Sequence, residues 1–143
     1  MNKYYIAYGS NLNKRQMKMR CPTAKVVGNG YLYDYGLVFR VYATIEPSVG
    51  DKVPVTVWEI DEPCEQSLDR YEGYPRLYDK EHMDVEVDGK IYRAMVYIMN
   101  EEVREYSFPH SQYMYVVKEG YEDMGLDTKY LSAALQRTKN ALE

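Results

Sequence analysis

The chain has 143 residues, with 45% hydrophobic and 28% charged side chains, which suits one compact domain spanning 1–143 with its own core. Its formal net charge of −4 comes with no basic stripe, which disfavours nucleic acid as a partner, and no apolar stretch approaches membrane-spanning length. The N-terminal MNKYYIAYGS lacks the apolar run and cleavage site of a signal peptide. Cys21 and Cys64 are too few for a disulfide framework and form no CxxC pair, so a reduced, cytoplasmic setting fits best. Tyrosine is the outlier, at 17 against 2 Phe and 1 Trp. Most of these rings suit half-buried strand positions, and two or three suit a polar pocket.

In chain order, Tyr4 to Tyr8 reads as a strand stopped by Gly9. Asn11 or Asn13 can cap a short helix that ends before Pro22. Its basic residues Lys14, Arg15, Lys18 and Arg20 read as a solvated face. Val26 to Tyr31 and Gly36 to Val41 form strands around a turn at Tyr33–Tyr35, and Val53 to Ile60 is a further strand. Asp61 to Tyr71 reads as a helix, with Asp61 as N-cap, Pro63 in the first turn and Gly73 as the stop. Cys64, Leu68 and Tyr71 give it one apolar face. Tyr78 to Val87 and Ile91 to Met99 are strands joined by the hairpin signal Asp88-Gly89. Two helices follow Pro109. One carries Tyr113, Val116, Val117 and Gly120, and the other carries Leu131, Ala134 and Leu135 behind Asp127 or Thr128. Strands early and helices late argue for an α+β fold.

The only histidines, His82 and His110, lack partners at metal-ligand spacing. The G-x-S-x-G elbow is absent around Ser10, and Cys21 has no histidine nearby in sequence. Spacing leaves open a Ser–His or Cys–His pair formed through space. Tyr8-Gly9-Ser10-Asn11 places a glycine turn between a strand and a helix start. Exposed N–H groups at such a turn can hold a carboxylate or an oxyanion. The same residues also make an ordinary capped turn, and local chemistry by itself favours that plainer role. Glu72 lies at a helix C-terminus among Tyr71, Tyr74 and Tyr78. The dipole and desolvation both oppose its ionised form and would raise its pKa toward that of a general acid and base. A solvated glutamate beside a helix stop is the plainer alternative.

Taken together, these residues resemble the gamma-glutamylcyclotransferase family over almost the whole chain. The resemblance rests on YGSNL (Tyr8–Leu12), ATI (Ala43–Ile45), Gly50-Asp51 before a strand with Val57-Trp58, and LDxxEG (Leu68–Gly73). It continues through Tyr78, Tyr97–Asn100, Pro109–Tyr113 and GLDTKYLSAAL (Gly125–Leu135). It implies a small mixed β-barrel flanked by helices, and a cofactor-free, metal-free enzyme of the acyltransferase or lyase kind. In that reaction the α-amine of a γ-glutamyl group attacks its own γ-carbonyl, and 5-oxoproline and an amine or amino acid are released. Carried over, the acid/base glutamate falls on Glu72 and the substrate loop on Tyr8, Gly9, Ser10 and Asn11, with Ala7 before it. The pocket tyrosines fall on Tyr97, Tyr78 and Tyr113. The partner is then a small γ-glutamyl substrate, from glutathione metabolism or as a γ-glutamylamine or another γ-glutamyl intermediate, and a homodimer is compatible with the family. A non-catalytic binding module of the same fold is the rival from another class, and the helix-rich C-terminus argues against a carrier barrel. The Gly73–Leu77 segment varies within the family, which leaves Arg76 as a substrate contact or, more simply, a solvent-facing side chain.

Overall fold

The computed structural model describes residues 3–143. Five strands, β1 (Lys3–Ala7), β2 (Lys25–Arg40), β3 (Tyr42–Ile60), β4 (Tyr78–Val87) and β5 (Lys90–Met99), form one mixed sheet in the order β2-β3-β1-β5-β4. β1 is antiparallel to β3, with Tyr5 opposite Trp58, and parallel to β5 at Tyr5–Met95. The helices are α1 (Lys14–Arg20), α2 (Glu62–Glu72), α3 (Ser111–Met124) and α4 (Lys129–Leu142), and a 3-10 turn spans Ser10–Leu12. The α+β reading holds. The sheet, however, is not closed into a barrel. Its edges β2 and β4 approach where Gly30 meets the chain at Glu86, and a Cβ on Gly30 would lie 2.6 Å from the Glu86 carbonyl oxygen. Those edges are not ladder neighbours.

Two expected strands and their turn are one strand. β2 runs through Tyr33–Tyr35 by a register shift, with Asp34 in the left-handed region at φ 64. A bulge takes up the extra residue that composition suggests is a turn. β3 likewise begins at Tyr42, eleven residues before the apolar run, because Tyr42 to Pro47 pair with β2 and bury Ala43, Thr44 and Ile45, while most of the stretch from Pro47 to Lys52 is exposed. The β4–β5 hairpin turns on Asp88 and Gly89, both at positive φ, as the dipeptide dictates.

Capping explains the helices. Asn13, rather than Asn11, caps α1 through the Gln16 N–H, and the Asp61 carboxylate caps α2 through the Cys64 N–H. Gly73, at φ 67, ends α2 in the left-handed conformation. The Asp127 carboxylate accepts the Lys129 N–H at the start of α4. The core gathers Ile6, Phe39, Val53, Val55, Val57 and Val96 from the sheet, with Leu12, Met17, Leu68, Val117 and Tyr121 from the turn and helices. Each of the aliphatic, Phe and Met side chains among them contributes about 1.5–3 kcal/mol when fully buried. The expected pair of free thiols is corrected: Cys21 and Cys64 are joined by a disulfide. The residue that closes α1 packs against the first turn of α2, which brings their Cα atoms to 4.9 Å.

Candidate active site

The chain leaves β1 at Ala7, passes Tyr8 and Gly9, and enters the 3-10 turn Ser10–Leu12, which is buried throughout. Three packings hold that turn. The Trp58 indole N–H donates to the Asn11 carbonyl at 3.1 Å. The Asn13 side chain donates to the Val116 carbonyl at 3.0 Å and to Glu119 at 2.7 Å. On α3, Gly120 lies so close that a Cβ there would meet the Asn13 nitrogen at 2.7 Å.

Beside the turn is a cavity of about 230 Å³. It is lined by Tyr8, Gly9, Ser10 and Asn11 from the turn, Tyr71 and Glu72 from the end of α2, Tyr78 and Tyr97 from the sheet, and Tyr113 from α3. Eight of the nine residues singled out in the sequence therefore meet around one space. Ala7 does not line it; it is buried within the core at the end of β1. Arg76 is exposed and also lies outside the lining. Tyr5, Tyr42 and Arg104 line the cavity as well, and none carries a sequence signal beyond the general excess of tyrosine.

Asn11 is the hub. Its amide nitrogen donates to the Tyr5 hydroxyl at 3.0 Å and, at 3.5 Å, to Glu72 Oε1. Its amide oxygen accepts from Arg20 at 3.0 Å. Arg20 lies flat over the Tyr71 ring, 3.4 Å from the centroid, and the Tyr71 and Ser10 hydroxyls are 2.8 Å apart. Arg20, which the basic run suggests is solvated, thus turns inward as the cation behind the site.

Burial pushes the Glu72 carboxyl up to about 7, against the opposing pull of the Arg20 guanidinium. No ion pair joins Glu72 to a cation among the described residues, and the group that hydrogen-bonds it is the neutral Asn11 amide. A carboxyl with that pKa holds and releases a proton near neutral pH. Burial also pushes the hydroxyls of Tyr5, Tyr8, Tyr78 and Tyr113 upward, so they stay neutral. Tyr8 donates to the Tyr97 carbonyl at 2.5 Å and Tyr78 to the Ala43 carbonyl at 2.6 Å. The Ala43 N–H donates to the Tyr113 hydroxyl at 3.1 Å. Tyr97 donates to Asp69 at 2.6 Å, so its hydroxyl is committed to α2. Gly9 is closely packed: a Cβ there would lie 3.2 Å from Ala43 Cβ and 3.4 Å from the Tyr113 oxygen, so its neighbours would have to shift by a few tenths of an ångström. His82 is exposed on β4, and His110 precedes α3 without capping it through its side chain.

Residues 5–120 match the family model described as gamma-glutamyl cyclotransferase, AIG2-like. The Mus musculus gamma-glutamylcyclotransferase is 31% identical over 140 residues, covering 88% of this chain and 73% of the mouse protein. The Bos taurus gamma-glutamylcyclotransferase is 30% identical over 153 residues, covering 97% and 78% respectively. A solved gamma-glutamyl cyclotransferase structure superposes with a TM-score of 0.83 at 28% identity, over 94% of this chain and 86% of that one.

Proposed function

The chain belongs to the gamma-glutamyl cyclotransferase, AIG2-like family and is a cyclotransferase enzyme, and we propose that it releases 5-oxoproline from a γ-glutamyl amide with Glu72 as general base and then general acid. The observation that carries this reading is the Glu72 carboxyl itself. It lines a cavity next to the Tyr8–Asn11 turn, with burial pushing its pKa up to about 7.

The reaction unites two atoms of one molecule. The γ-glutamyl α-ammonium gives a proton to ionised Glu72, and the freed amine attacks the γ-carbonyl carbon. A five-membered ring closes, giving a tetrahedral centre. The bond to the leaving nitrogen then breaks as the protonated Glu72 returns a proton to it, and the second proton on the new ring nitrogen passes to the departing amine, which leaves as an ammonium ion. Both reacting centres arrive on one substrate, so the cavity walls need only fold it into a near-attack shape. At the first residues of the 3-10 turn the amides lack intrahelical acceptors. They suit the oxyanion or the glutamyl carboxylate, and Gly9 lets the substrate approach the backbone closely.

The test is 5-oxoproline release by Glu72→Gln against the unmodified protein. General acid–base catalysis contributes typically 10²–10⁴-fold, so kcat falls by about that factor while the far-UV and thermal signatures of folding persist. Full activity in the variant would remove Glu72 from the mechanism. Tight binding of γ-glutamyl compounds without turnover by the unmodified protein would favour a carrier of the same fold.

A further inference from the structure

One cation lines the cavity among the described residues: Arg104. It sits between β5 and α3, in a segment whose backbone is fixed at both ends. The Arg104 carbonyl accepts from Arg40 at 2.8 Å, and the Arg40 guanidinium rests 3.9 Å over the Tyr106 ring. Ser107 is bound twice, its carbonyl accepting the Val41 N–H and its N–H donating to the Phe39 carbonyl. The Arg104 guanidinium lies 5.4 Å from the Tyr42 ring centroid. That ring in turn meets Tyr113 edge-on at 5.2 Å. Glu101, Glu102 and Glu105 are exposed neighbours in sequence, yet none forms an ion pair with Arg104 among the described residues. Arg104 is itself exposed, whereas Glu72 is half-buried. The cavity therefore has an acid inside and an unneutralised guanidinium at its rim.

We propose that Arg104 is the specificity-determining residue for the leaving group, favouring a leaving amine that carries a carboxylate over one that carries none. This rests on the reading of Glu72 given above. With the α-amine and γ-carbonyl held at Glu72, the substituent on the leaving nitrogen is the part that extends outward to the rim. A guanidinium on a preorganised backbone pairs well with a carboxylate there. Arg104 makes and breaks no bond. The ring closes on the γ-carbon, the amide bond to the leaving nitrogen opens, and the proton passes through Glu72.

Two substrates separate this role from any other: γ-glutamyl-alanine and γ-glutamyl-ethylamide, which differ only in the carboxylate on the leaving group. Steady-state release of 5-oxoproline is measured for each with the unmodified protein, Arg104→Met and Arg104→Lys. Arg104→Met lowers the preference for the alanine compound about tenfold, mainly through KM, and Arg104→Lys restores part of it. Added salt erodes the same preference. An equal fall on both substrates would assign Arg104 to the glutamyl carboxylate or to the fold, and no fall on either would leave it outside recognition; each overturns the proposal. Release from neither substrate by the unmodified protein would overturn the reaction itself, whereas release from both with a ratio that Arg104→Met does not move would overturn the role of Arg104 alone.

Discussion

Glu65 and Glu72 stand two turns apart on α2, and their surroundings drive them in opposite directions. Glu65 takes Lys3 at 2.5 Å and Lys80 at 2.6 Å. Desolvation pushes its carboxyl up, but those two ammonium groups outweigh it and hold the pKa below the usual value. Glu72 meets desolvation with only the more distant Arg20 to oppose it, and stays near 7. The Arg20 guanidinium is engaged with Asn11, Gln16 and the Tyr71 face. One helix thus carries an ion-paired carboxylate at its start and, at its end, a carboxyl whose pKa burial raises to about 7. Partners decide the difference, while the dipole acts as a minor bias.

The largest effect that tests this contrast is catalytic. Glu72→Gln lowers kcat by about 10²–10⁴-fold, and a comparable loss in Glu65→Gln would erase the distinction. The second effect is on stability against pH and takes opposite signs at the two sites. The folded pKa of Glu72 is raised from 4.5 to about 7. Its contribution is therefore fully present below the unfolded value and is lost as pH rises to about 7. The loss is on the order of 3 kcal/mol by linkage. Chemical denaturation at pH 4 and pH 8 checks it: Glu72→Gln gains on the unmodified protein between the two. Glu65 is depressed, so its stability is present above the unfolded pKa and lost as pH falls through the folded one. Glu65→Gln is accordingly most costly near neutral pH and converges on the unmodified protein in acid.

A smaller effect sharpens the role of the cation. Arg20→Gln removes the charge that lowers the Glu72 pKa, so the rising limb of kcat/KM moves to higher pH. Activity at pH 7 drops about threefold to tenfold, because the ionised fraction of a carboxyl falls up to tenfold for each pH unit its pKa moves upward. An unmoved limb would show that Arg20 acts only through Tyr71 and Asn11 packing. The smallest effect is the activity of Glu65→Gln, which stays within a few-fold because no atom of Glu65 reaches the cavity lining.

Much of this arrangement is legible in the sequence where a residue type has a single local meaning. Gly73 ends α2, Asp88-Gly89 turns the hairpin, and Asp61 caps a helix, each by backbone geometry. The candidate residues Tyr8–Asn11, Glu72, Tyr78, Tyr97 and Tyr113 are singled out by their combined pattern, and all of them line one cavity. What stays hidden is decided through space. Arg20 shares a basic run with Lys14, Arg15 and Lys18, and only packing against Tyr71 turns it inward. Tyr5, Tyr42 and Arg104 reach the cavity because β1, β3 and the segment after β5 converge there. Asp34 looks like a turn residue, yet pairing on both sides of it carries the strand onward. The sulfur bridge depends on how α1 meets α2, a tertiary contact that spacing alone does not contain.

That bridge has a practical consequence for the β2–β3 hairpin it encloses. Between Pro47 and Lys52, which pair with Tyr35 and Tyr33, the chain makes an unpaired excursion, and Val49 at its tip is 96% exposed. This is the kind of site where proteases nick a folded chain. The excursion lies inside the segment closed by Cys21 and Cys64. A molecule cut there keeps its two pieces covalently joined. It migrates as one band on a gel without reductant and as two once thiol is added.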